Sequence, residues 1–70
     1  MRVRFNEVFH EHSDGSITPR GAVQIGGVTM GSGVTFGAGT AFSGVDIIAQ
    51  RGHDIEIEQQ GDTVIIKKFY

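Results

Sequence analysis

Two histidines set two residues apart, His10 and His12, are the side chains whose type and spacing point most directly to chemistry. On a strand, alternate side chains share a face, so the two imidazoles would project together from α-carbons about 6.5–7 Å apart. That is close enough to grip one ion, and neutral imidazole suits zinc, iron or nickel. A third ligand would have to come from Asp14, His53 or a symmetry-related copy of the chain. The plainer reading is a polar strand face wetted by solvent. Apart from a transition metal at this pair, no cofactor is expected.

Other reactive groups form no constellation. Ser13, Ser16, Ser32 and Ser43 are not framed by a nucleophile-elbow pattern, and there is no thiol. Glu56 and Glu58 alternate on one strand face, which suits a solvated edge better than an acid/base couple. The glycine-rich run from Gly31 to Gly39 lacks the GxxxxGK[ST] pattern, and no lysine lies between Arg20 and Lys67 to meet a phosphate. A dinucleotide fingerprint fails as well, because Phe36 stands where the third glycine is needed. An enzyme is therefore not expected. Lys67 and Lys68 beside Phe69 and Tyr70 make a single basic-aromatic cluster able to stack on a base or meet a phosphate, but lysines that discourage edge-to-edge aggregation and aromatics that cover a neighbouring subunit are the preferred reading.

The elements that must carry these residues belong to one small domain. At 70 residues the chain buries only about 60% of its surface on folding. With no cysteine there is no disulfide or thiolate zinc site to reinforce a thin core, so self-association is the expected source of extra stability. The formal charge of -2 gives no broad basic field, and nucleic acid is not the expected partner. Residues 1–5 alternate Val3 and Phe5 against Arg2 and Arg4, the period of a strand. The phase breaks at Asn6-Glu7 and resumes at Val8, predicting a bulge near Asn6 or two short strands. Ser13-Asp14-Gly15-Ser16 reads as a hairpin turn, and Pro19, unable to donate to a ladder, places Ile17-Thr18-Pro19-Arg20 at a sheet edge or just before a strand. Arg2 and Arg4 precede Asn6, Glu7, His10 and Glu11 with no apolar run, so a cytoplasmic location is expected.

Residues 21–45 carry no charge, but their many Gly, Ser and Thr leave too few large side chains for a membrane span. Within them a large apolar residue recurs every six positions, at Met30, Phe36 and Phe42, each followed by a small one. Residues 30–47 thus resemble the hexapeptide repeat of left-handed β-helix proteins, whose inward aliphatic residues line a triangular core. The alternative is a set of short antiparallel strands centred on Val23-Ile25, Val28-Met30, Val34-Phe36 and Ala41-Phe42, separated by glycine turns. This second arrangement is preferred. A short helix or 3-10 turn is expected at 44–51, with Ser43 and Asp46 as its capping pair and Gly52 as its stop.

The tail is a hairpin: Ile55 and Ile57 alternate with Glu56 and Glu58, Gln59-Gln60-Gly61-Asp62 turns, and residues 63–69 return as Val64-Ile65-Ile66. Because that triplet is apolar on both faces, the last strand should be central or covered by a partner. Residues 52–68 also resemble the closing hairpin of swapped-hairpin transition regulators and antitoxins. That resemblance implies a dimeric DNA-binding regulator, in which Arg2, Arg4 and Arg20 would contact phosphates.

The expected fold is all-β, a small antiparallel sheet, sandwich or barrel-like domain of short strands with glycine-rich turns. The expected function is that of a structural or interaction module forming a homo-oligomer, a dimer or trimer, of phage or mobile-element type. Its interface would use Val28, Met30, Val34, Phe36, Phe42, Val64 and Ile66. The alternatives are the DNA-binding regulator and a metal-binding module. In a trimer with the histidine pair on its axis, three copies would supply six nitrogens, an arrangement similar to the His-x-His sites of phage tail spikes.

Overall fold

The alternation of Ile55 and Ile57 with Glu56 and Glu58 forms a strand, β8 (Ile55–Gln60), which turns through Gly61 at φ +61° into β9 (Thr63–Phe69). The computed structural model describes residues 1–37, 41, 42 and 44–70, residue 42 by its backbone alone. β9 is the central strand of a five-stranded sheet of order β1-β8-β9-β4-β5, where β1 is Arg2–Val3, β4 Ala22–Ile25 and β5 Val28–Met30. Its position accounts for the doubly apolar Val64-Ile65-Ile66. Ile66 is buried and Val64 packs on the core, while Ile65 lies on the other face in register with Gln24 and Glu58.

A register shift between Glu56 and Ile57 leaves Lys67 as an extra residue on β9. Such a bulge moves the following side chains by one position. It brings Phe69 opposite buried Ile55 and onto the core, although Phe69 lies an odd number of residues from Ile66. Four pairings in the sheet differ in sense: β1–β8, β8–β9 and β4–β5 are antiparallel, and β4–β9 is parallel. The sheet is therefore mixed where the sequence suggests an antiparallel one.

A second layer covers one face of this sheet. The phase break after Arg4 is a single helical turn, α1 (Phe5–Val8), begun by Glu7 accepting the Arg4 backbone N–H at 2.7 Å. One turn suffices to put Phe5 and Val8, three apart, on the same buried side. The chain continues as β2 (Phe9–Glu11) and, after the turn at residues 13–16, as β3 (Ile17–Pro19). Asp14 Oδ1 accepts from both the backbone and the hydroxyl of Ser16, and Gly15 adopts φ +89°. Phe9, Ile17 and Pro19 are fully buried on the inner side of this hairpin, and Phe5 stacks on Phe9 with ring centres 4.9 Å apart.

Between the layers lie Phe36, joined to Ile17 by an isolated antiparallel bridge, and Ile47, fully buried just before a 3-10 turn at Ile48–Gln50. That turn falls within the expected helical stretch and ends before Gly52, at φ +89°. β6 (Ala41–Phe42) pairs with β7 (Val45–Asp46). The expected capping residue Ser43, and residues 38–40 of the period-six segment, lie outside the described residues. No helix among the described residues is long and apolar enough to cross a membrane.

Candidate functional site

The described interior contains no polar or charged side chain. Among the described residues the groups able to do chemistry therefore lie toward the surface, and one polar cluster is the outer face of the β2–β3 hairpin. There the strand period turns Phe9 inward and His10 outward, and His12, just past the end of β2, shares the outer side. Their ring centres are 4.7 Å apart with the planes at 81°. His10 stands opposite Thr18 in the ladder. His12 Nε2 lies 2.7 Å from the Thr18 hydroxyl, which lies 3.1 Å from the hydroxyl of Thr35. Thr35 reaches this face because its neighbour Phe36 bridges Ile17. Sequence reasoning anticipated the paired imidazoles but not the two threonines, whose approach depends on ladder register and on a bridge between segments distant in the chain.

The third ligands considered from sequence are used elsewhere. Asp14 holds the turn, and hydrogen bonds from the Ser16 hydroxyl and backbone, with a smaller contribution from the charge of His12, keep its carboxyl below the usual range. His53 Nδ1 lies 2.6 Å from the main-chain oxygen of Tyr70. Among the described residues, no group of three or more histidines and carboxylates could hold a metal ion.

A second polar cluster, not foreseen from the sequence, joins β1 to the end of β9. Tyr70 donates its hydroxyl to Glu56 Oε1 at 2.5 Å, and the Met1 amine donates to Glu56 Oε2 at 2.5 Å. These partners lower the Glu56 carboxyl, the Met1 amine most, and the carboxylate raises the Tyr70 phenol. Arg2 bonds Asp54 through Nε at 2.8 Å and lies 4.0 Å from the centre of the Tyr70 ring, and Lys68 lies 4.7 Å from the same centre.

Of the arginines proposed for DNA, Arg2 and Arg20 bond within the chain, and the three are spread over the surface. Arg20 donates through Nε to the Asn6 carbonyl at 2.7 Å, and Arg4 lines a cleft with Phe5, Asn6, Glu11, Gly52 and Asp54. That cleft has a volume of about 270 Å³, and a second hollow of about 380 Å³ lies beside Met1, Glu58 and Lys67.

Of the expected interface residues, Met30, Phe36 and Ile66 are buried in the chain's own core, and Val64 packs against it. The Phe42 side chain lies outside the described residues. Val28 and Val34 remain on the surface, 47% and 42% exposed. Val28 begins β5, the last strand at one side of the sheet. Gly26 and Gly27, at φ +57° and +85°, make a two-residue turn of the type that closes on a hydrogen-bonded pair, here Ile25 with Val28. Because such pairs alternate, Gln24 and Thr29 form a non-hydrogen-bonded pair. The N–H and C=O of Thr29 therefore point away from β4, toward the side where no further strand is found among the described residues.

Comparisons of the chain with protein-family models, with curated proteins and with solved structures find no match.

Proposed function

We propose that this domain is an assembly module that binds a second copy of itself, edge to edge through β5. The observation that carries the reading is the contrast between the two edges of the sheet. At β1 the edge is bounded by charge: Arg2 pairs with Asp54, and the Met1 amine with Glu56. Proteins commonly protect an open edge in this way, because unpaired backbone groups template association. At β5 the edge consists of Val28, Thr29 and Met30, within a stretch that carries no charge from Gly21 to Val45. A two-fold axis through Thr29 would pair the strand with its own copy, each Thr29 exchanging N–H and C=O with the other, to make a continuous ten-stranded sheet. Val28 and Val34 would gain cover in the same step.

The test is the mass of the native protein across concentration, by light scattering or native mass spectrometry. The wild type should be a dimer at high micromolar concentration. Thr29→Pro removes only the outward N–H, and Val28→Lys places like charges across the axis. Both should be monomers with an unchanged circular dichroism spectrum. A wild type that is monomeric at every concentration, or a Val28→Lys variant that remains dimeric, would refute the reading.

A further inference from the structure

We propose that His10 and His12 form a bidentate site for a divalent transition-metal ion of the copper, nickel or zinc class, on the outer face of the β2–β3 hairpin. Two imidazoles bound side by side to one ion, with metal–nitrogen bonds of about 2.0–2.1 Å, place their ring centres about 4.5–5 Å apart. The separation in this structure is 4.7 Å. The ring planes, 81° apart, avoid a face-to-face clash, and the second torsion of histidine is soft enough to re-aim a nitrogen without moving the strand.

The hairpin supports the geometry from behind. His10 is held in the ladder opposite Thr18, and the His12 backbone N–H donates to the Ser16 carbonyl at 2.8 Å. With Thr18 donating to Thr35, its oxygen accepts the His12 Nε2 proton, and the lone pair of Nδ1 is left for the metal. A hydrogen bond on the far nitrogen of a ligating histidine is the usual means of orienting it. Both histidines are exposed, so water completes the coordination sphere. Such a site ranks ions by intrinsic affinity, with copper above nickel and zinc.

The test is calorimetric titration of untagged protein with cupric, nickel and zinc chloride, repeated on His10→Asn, His12→Asn, Thr18→Val and His53→Asn. All four changes are at surface positions, and circular dichroism checks each fold. The expected result is saturable binding of one ion per chain, tightest for copper. Either His10→Asn or His12→Asn should weaken it at least about tenfold, Thr18→Val by about tenfold or more, and His53→Asn should leave it unchanged. Absence of saturable copper binding below about 1 mM, or binding that survives both His10→Asn and His12→Asn, would overturn the proposal.

Discussion

Ile17 and Phe36 exchange both backbone hydrogen bonds, Ile17 N–H to the Phe36 carbonyl at 3.0 Å and Phe36 N–H to the Ile17 carbonyl at 2.8 Å. This bridge ties the glycine-rich middle of the chain to the hairpin layer and holds the Phe36 ring, 5% exposed, in the core. Phe36→Ala should therefore cost about 3–5 kcal/mol, the usual loss for a buried phenylalanine. In so small a domain that is most of the stability, so the variant should be largely unfolded at 25 °C. Urea denaturation checks it. A variant that kept its midpoint and changed only in molecular mass would mean that Phe36 serves an interface rather than the core.

The β4–β5 turn makes a sharper prediction, because its two glycines differ in conformation. Gly26, at φ +57°, sits where asparagine is also at ease, whereas Gly27, at φ +85°, lies further from any comfortable position for an L side chain. A Cβ at Gly27 would meet no atom within 4 Å, so any penalty there is conformational and not steric. Gly27→Ala should cost roughly 1–2 kcal/mol, while Gly26→Asn should be neutral or slightly stabilising through a less flexible unfolded chain. Equal melting temperatures for the two variants would contradict the turn assignment.

How far the fold could be read from the chain depends on the range of each interaction. The β8–β9 hairpin was legible because Ile55, Glu56, Ile57 and Glu58 alternate locally, and the central place of β9 because Val64-Ile65-Ile66 has no polar face. α1 was not, since Phe5 and Val8 span one turn and no helical period can accumulate; only the break in phase at Asn6-Glu7 marked it. The parallel pairing of Val23 with Val64 joins segments far apart in sequence, and nothing local encodes it. Apolar Met30 and Phe36 look alike whether they serve a core or an interface, so their burial was equally illegible. At the candidate metal site, the shared face of His10 and His12 follows from the strand period. The support from Thr18 and Thr35 follows from a ladder and a bridge that only the folded chain displays.

The Glu56–Tyr70 hydrogen bond predicts opposite effects at the two ends of the pH scale. The Glu56 carboxyl is lowered by the Met1 amine first and by Tyr70 second. A depressed acid favours the folded state above its unfolded pKa, and this contribution disappears as pH falls through the folded value. The Tyr70 phenol is raised, chiefly by donating to Glu56. Its contribution is complete below the ordinary tyrosine range and is lost as pH rises through the raised value. Both groups are at the surface, so the effects are modest and screened by salt. Melting curves of the wild type, Glu56→Gln and Tyr70→Phe from pH 2.5 to 11 separate the two limbs. Glu56→Gln should flatten the acid limb, and Tyr70→Phe should flatten the alkaline limb more than the acid one. Three parallel curves would mean that the bond does not persist in solution, and that the end of β9 is not tied to β8 through these side chains.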